Sequence, residues 1–150
     1  MKASEIKNIA EKYGITLIYL FGSQAEKAAR YLEDAEIKTD EFSDLDVAVA
    51  FETPPPFPIR IYGRLYKDLS EIFDPFSLDL IFIQEMDTLF QYAIIKGVRL
   101  YEKDEFSADE FEEMVMKKAG DLAFKKRILI KEMLKAIKDG YFEFGYSPYS

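Results

Sequence analysis

The sequence of 150 residues contains neither cysteine nor histidine. These two absences exclude disulfide bonds, thiol nucleophiles, zinc sites of the Cys/His type and imidazole general bases. Any acid–base chemistry must therefore come from carboxylates, lysine or tyrosine.

Basic residues are also in short supply, with 20 lysines and arginines against 28 aspartates and glutamates and a formal net charge of −8. This charge has the wrong sign for a protein that binds the phosphate backbone of nucleic acids. A nucleic-acid substrate is therefore disfavoured.

Long apolar runs are missing as well. No segment approaches the ~20 apolar residues needed to cross a bilayer, and the N-terminus, Met1-Lys2-Ala3-Ser4-Glu5, lacks the apolar core of a signal peptide. Because 49% of the residues are nevertheless hydrophobic, we expect a folded domain with a real core. We expect this protein to be cytoplasmic, without a membrane partner.

Two acidic residues, Asp44 and Asp46, stand at the start of the otherwise largely apolar segment Ser43–Phe51. On a β-strand, successive side chains point to opposite faces, so Asp44 and Asp46 share a face and the apolar residues occupy the other. Two like charges about 4 Å apart repel by roughly 4 kcal/mol at an effective dielectric constant near 20. The pair therefore favours a bound cation.

A third acid, Asp79, interrupts the later apolar run Leu78–Ile83 and shares a strand face with Ile81 and Ile83. A lone acid in an apolar strand is more often an edge residue or a satisfied polar residue than a functional one. Together with Asp44 and Asp46, however, it completes a set of three carboxylates. Mg²⁺ held by carboxylates and substrate phosphates is the common partner of such a set.

Gly22 and Ser23 follow the apolar run Ile15–Phe21. Glycine permits a tight turn and close approach to a ligand, and the serine can offer its hydroxyl and its N–H to a phosphate oxygen. A helix beginning at Gln24 would direct its positive end to the same place. Taken alone, the pair fits an ordinary strand-to-helix turn, but the downstream aspartates favour phosphate binding.

Together, Gly22-Ser23, Asp44-Leu45-Asp46 and Asp79 resemble the signature of the polymerase-β-like nucleotidyltransferases over residues 5–102. The small size is most similar to the minimal nucleotidyltransferases, many of which act as antitoxins of HEPN-domain toxins. The resemblance implies catalytic and metal-binding roles for Asp44, Asp46 and Asp79 and nucleotide binding by Gly22 and Ser23. It further implies two Mg²⁺ ions, ATP or another NTP as donor, and a tyrosine hydroxyl of a HEPN-type toxin as acceptor.

The sequence departs from this family after Ser23. The family has an arginine soon after the serine and a shorter loop to the acid pair, whereas the first arginine here is Arg30. Either Lys27 or Arg30 replaces the missing basic contact from the helix, or the affinity for triphosphate is weak.

The fold class predicted is α/β (α+β): a small, mixed, twisted β-sheet of the nucleotidyltransferase type, with flanking helices and a long C-terminal helix. Residues 1–103 are expected to form the nucleotidyltransferase core, and 104–150 a C-terminal helix and an aromatic tail of the same domain. The predicted helices cover residues 4–13, 59–73 and 84–96, and a long helix with a capping box at Ser107 runs to Gly140, bent near Gly120. Residues 33–43 are predicted to be an exposed acidic loop.

The apolar stripe of the long helix is expected to pack either on its own domain or on a partner chain. The aromatic tail, residues 141–150, is open to docking on its own domain, on a second copy or on a partner, so a homo-oligomer is possible.

Two other functions fit the same residues. A nucleotidyltransferase that modifies a small hydroxylated molecule, such as an antibiotic, would need the long helix to supply its substrate-binding part. A non-catalytic antitoxin that neutralises its partner by binding alone would gain nothing from three repelling carboxylates.

Overall fold

A computed structural model describes residues 2–33 and 44–140. The chain divides into two compact units, Met1–Val115 and Met116–Ser150. The predicted acidic loop 33–43, apart from Glu33, and the aromatic tail lie outside the described residues. The elements, in chain order, are α1 Lys2–Tyr13, β1 Ile15–Phe21, α2 Ala25–Leu32, β2 Leu45–Phe51, α3 Pro58–Phe73, β3 Leu78–Phe82, a 3₁₀ turn Ile83–Glu85, α4 Thr88–Ile95, β4 Val98–Glu102 and α5 Glu105–Lys138.

The four strands form one sheet in the order β3-β2-β1-β4. Strand β1 pairs antiparallel with both β2 and β4, whereas β2 and β3 are parallel and are joined through α3. This mixed sheet with flanking helices and a long final helix confirms the predicted fold class.

The sheet buries both of its faces, which explains why β1 and β2 are apolar at almost every position. One face carries the larger core, where α1, α2 and α3 contribute buried residues such as Ala10, Ala28 and Leu69. The other face carries a smaller core that includes Tyr19, Ile94 of α4 and Ala108 of α5. The smaller core shares its face with the acidic residues described below.

Several predicted helix starts were wrong. Helix α1 begins at Lys2, before the predicted start at residue 4. The predicted helix 84–96 is a 3₁₀ turn followed by α4, because Asp87 caps the later start by accepting a hydrogen bond from the Phe90 N–H at 2.8 Å. Likewise, Asp104 rather than Ser107 caps α5, since its carboxylate accepts from both the N–H and the hydroxyl of Ser107.

Some large apolar residues of the helices are exposed. Leu89 and Phe90 of α4 are 60% and 42% exposed. The prediction of one long helix is confirmed by α5, which is a single element of 34 residues. In its second half, Leu129 and Leu134 are more than half exposed, so the choice between a partner and the chain itself for this stripe stays a prediction. No described helix combines the length and apolarity needed to cross a bilayer.

Candidate nucleotide-transfer site

The predicted site residues gather at one end of the sheet. Phe21, the last residue of β1, pairs with Asp46 of β2, and Asp46 pairs with Asp79 of β3. These three residues form a row across three neighbouring strands, which lie about 4.8 Å apart in a sheet. Gly22 and Ser23 follow Phe21 directly, so the Gly-Ser turn lies at the same end of the sheet as Asp46 and Asp79.

Asp44 precedes β2 and is exposed, as is Asp79, while Asp46 is partly buried. Burial raises the pKa of Asp46 above its ordinary value. The negative charges of Asp79 and Asp44 and a carboxyl hydrogen bond with Asp79 raise it further. Within the described chain, no lysine or arginine forms an ion pair with these three acids. The site therefore has uncompensated negative charge.

The carboxylates fit a hard cation in the manner typical of Mg²⁺. Over residues 2–33 and 44–140, no three acidic side chains converge closely enough to form a complete metal site. Mg²⁺ commonly takes only one or two carboxylates and completes its octahedron with water and substrate phosphates. Asp46 with Asp79 or Asp44 supplies that number, and a site that uses all three acids stays a prediction.

The backbone of the Gly-Ser turn lies against the Asp46 carboxylate. Gly22 has φ = +78°, a left-handed conformation that L side chains rarely adopt, and a Cβ atom at this position would collide with Oδ2 of Asp46. Only glycine therefore lets the turn approach the acid this closely. A phosphate held by this turn would lie beside a cation held by Asp46.

Helix α2 begins at Ala25, one residue later than predicted, and Gln24 forms no side-chain cap. The N–H groups of the first helical turn have no intrahelical partner and can face a phosphate. Lys27 and Arg30, the two candidates for the missing basic contact, are both exposed on α2. Their assignment stays a prediction.

Gln24 is the one candidate that the sequence did not single out. Its side chain is only 8% exposed, and its Oε1 atom has no hydrogen-bond partner in the described part of the chain. A buried acceptor without a donor is costly, and such groups occur at functional sites. Its position immediately after Gly22-Ser23 was the available signal.

The fold and this acidic row define a nucleotide-handling enzyme of the polymerase β type. The family described as "Polymerase beta, Nucleotidyltransferase" matches residues 4–106, which is more than half of the chain. The chain therefore belongs to this family of nucleotidyltransferases. No curated protein matches the sequence closely enough to refine this assignment.

Several solved structures share the fold. A toxin–antitoxin crystal structure with AMP-PNP has a TM-score of 0.63 and 18% identity, and covers 89% of this chain and 99% of the other. The MntA–HepT toxin–antitoxin has a TM-score of 0.58 at 17% identity, covering 89% and 97%. A complex of tri-AMPylated Shewanella oneidensis HEPN toxin with its MNT antitoxin has the same score and identity, covering 89% and 96%. At these identities the likeness establishes the fold.

Proposed function

We propose that this nucleotidyltransferase transfers AMP from ATP to a tyrosine hydroxyl of a HEPN-type toxin and so acts as its antitoxin. The observation that carries the chemistry is the register of the sheet, which pairs Asp46 with Asp79 beside the Gly22 turn. The fold shared with complexes of HEPN toxin and MNT antitoxin, one of them AMPylated, supports the choice of acceptor. The AMP-PNP in the crystal structure of a toxin–antitoxin that shares the fold supports ATP as the donor.

In this proposal, the Gly22-Ser23 turn and the first turn of α2 bind the β- and γ-phosphates. Asp44, Asp46 and Asp79 would hold two Mg²⁺ ions, which would neutralise phosphate charge and stabilise the attacking and leaving oxygens. Asp79, on the outer strand, accepts the proton of the attacking hydroxyl. The hydroxyl oxygen forms a bond to the α-phosphorus, the bond from that phosphorus to the bridging oxygen breaks, and pyrophosphate leaves.

The test incubates the purified chain with Mg²⁺, α-labelled ATP and an extract of its source cells, followed by intact-mass analysis. The expected result is a labelled protein that carries one or more added AMP units on tyrosine. Asp46→Asn should lower the transfer rate at least about a hundredfold, because it removes a charge that holds the cation.

The matched control is Asp139→Asn, the same change at an exposed residue just after α5, and it should transfer at the normal rate. Label on a small molecule alone would contradict the protein acceptor. Normal transfer by Asp46→Asn would contradict the assignment of the site.

A further inference from the structure

A small pocket lies along the outer side of β3, in the part of the chain that carries the acids. Its volume is about 230 Å³, and its walls include Ile59 and Tyr62 of α3, Ile81 of β3, and Glu85 and Met86 after it. We call this cavity the β3 pocket. It is large enough for one side chain.

The β3 pocket is close to Asp79 and far from the phosphate turn. Ile81 follows Asp79 by two residues on the same strand face, which places their Cα atoms about 7 Å apart. The sheet order puts the Gly22 turn at the end of β1 and β3 on the outside. Phosphates, metal-binding acids and the β3 pocket therefore follow one another across the sheet, and the pocket lies on the side of the proposed proton acceptor.

The chemistry of the walls indicates what the pocket accepts. Most of its walls are apolar side chains, and Ile59 among them is 88% exposed. The Tyr62 hydroxyl donates a hydrogen bond to the Leu80 carbonyl at 3.0 Å, so this outward carbonyl of β3 is already satisfied. An occupant therefore enters with a side chain and does not pair as a fifth strand.

The charge around the pocket further restricts which side chains it can accept. Glu85 is the charged residue among the pocket walls, and Asp79 lies two positions before Ile81. An acidic occupant would meet repulsion from both carboxylates. A neutral apolar or aromatic side chain therefore fits the pocket. Basic residues beside that side chain in the bound segment fit the charge of the two carboxylates.

We propose that the β3 pocket binds an apolar side chain of the protein acceptor that flanks the hydroxyl being modified. An extended segment places alternate side chains about 7 Å apart on one side, which matches the distance from Asp79 to Ile81. The pocket thus selects an acceptor with an apolar residue two positions from its tyrosine. This inference rests on the proposed function, because it assumes that the acceptor is a protein.

The test uses two synthetic acceptor peptides that each contain one tyrosine in a neutral sequence. One peptide has phenylalanine two residues from the tyrosine, and the other has alanine there. The phenylalanine peptide should have a KM about tenfold lower at similar kcat, because burial of the aromatic side chain stabilises the complex.

Ile59→Asp places a charge at the pocket mouth and should remove this tenfold preference. Because Ile59 is exposed, the change leaves the core intact, which the thermal midpoint checks. The matched control is Phe106→Asp, the same new charge at a 70% exposed apolar residue. Phe106 follows β4, whose last residue pairs with Leu17 at the end of the sheet away from Asp46, and its variant should keep the preference.

Each other outcome overturns the proposal in a distinguishable way. Equal KM values for the two peptides, or labelling of a protein in the extract but of neither peptide, would refute the pocket while leaving the proposed function intact. Weaker AMP-PNP binding by Ile59→Asp would show that the pocket holds the nucleotide instead. Absence of transfer to any protein would overturn the proposed function, and this inference with it.

Discussion

The proposed role of Asp46 requires an ionised carboxylate to hold a cation, whereas the surroundings of Asp46 disfavour its charge. Partial burial and the neighbouring Asp79 and Asp44 raise its pKa in the folded protein. Such a group is tolerated at active sites, where local instability is exchanged for chemistry. Without a cation, this carboxylate should therefore destabilise the native state.

The pH dependence of unfolding tests this point. Because the folded pKa of Asp46 is raised, its unfavourable contribution develops as the pH rises from the unfolded value of 3.8 through the folded value. In metal-free buffer, Asp46→Asn should be more stable than the unsubstituted protein near pH 7, and the difference should vanish below pH 3.8. Denaturant titrations at several pH values measure this difference, and a variant that is less stable at pH 7 would refute the expected sign.

Gly22 offers a second residue-scale prediction, with Gly14 as its control. Both glycines have left-handed φ angles, +78° and +67°, but a Cβ atom meets the Asp46 carboxylate only at Gly22 and nothing within 4 Å at Gly14. Gly14→Ala should therefore cost about 1–2 kcal/mol of unfolding free energy for the backbone alone. Gly22→Ala should cost more and should also abolish transfer, as chemical denaturation and the labelling assay would show. Equal losses of stability would mean that the turn moves away from Asp46 without cost.

At this scale, residues whose type is unusual in its context could be selected as candidates from the sequence alone. Aspartates in apolar strands and a glycine after one are visible without coordinates. Gln24 was not predicted, because its burial and its missing partner arise only when α2 packs on the sheet.

At the scale of elements, a cluster of polar side chains connects the start of α5 to the sheet. The buried Tyr19 of β1 donates a hydrogen bond to Glu112 of α5 at 2.6 Å, and Arg99 of β4 contacts the same carboxylate at 3.0 Å. Arg99 also pairs with Asp109 at 2.9 Å and with Glu102 at 3.0 Å. The guanidinium thus joins the edge strand to the first turns of the helix.

Removal of the Tyr19 hydroxyl should weaken this attachment. Tyr19→Phe should lower the free energy of unfolding by about 1–2 kcal/mol, because the partly buried Glu112 loses a hydrogen bond. The control is Tyr31→Phe, which removes a more exposed hydroxyl that donates to the Asp74 carbonyl at 2.7 Å and should cost less than ~0.5 kcal/mol. Urea titrations of both variants measure the two losses of unfolding free energy. Equal losses would mean that the burial of the hydroxyl does not matter.

Element boundaries followed from the sequence where periodicity was unambiguous. Strand β1 occupies the apolar run Ile15–Phe21, which lies between two glycines, Gly14 and Gly22. Helix starts were wrong where two capping residues competed. Asp104 prevailed over Ser107 because its carboxylate reaches both polar groups of that serine.

For the whole molecule, the order of the strands was beyond the reach of the sequence. The alternation of Asp44 and Asp46 indicates their face, but the pairing of Asp46 with Asp79 depends on β3 joining the sheet parallel to β2. That pairing joins residues that are far apart in the sequence. It depends on how α3, which connects the two strands, packs on the sheet. Local patterns do not encode it.

The same pairing predicts that magnesium stabilises the fold. A cation that binds Asp46 and Asp79 only in the native state raises stability by mass action, about 2.7 kcal/mol when free Mg²⁺ is a hundred times its dissociation constant. The thermal midpoint should therefore rise with Mg²⁺ and AMP-PNP and should fall again on chelation with EDTA. Asp46→Asn should remove most of this rise and Asp139→Asn none of it. A thermal midpoint of the unsubstituted protein that does not change with Mg²⁺ would contradict the metal site.

In the proposed site, transfer also depends on the crossover from β2 to β3. A truncated product that ends before Leu78 would retain Gly22, Asp44 and Asp46, yet it would lack the strand that brings Asp79 to them. Degradation that removes this segment thus leaves no partly active fragment. The amount of transfer in a cell would report how many intact molecules remain, so protein turnover alone could set when a partner is modified.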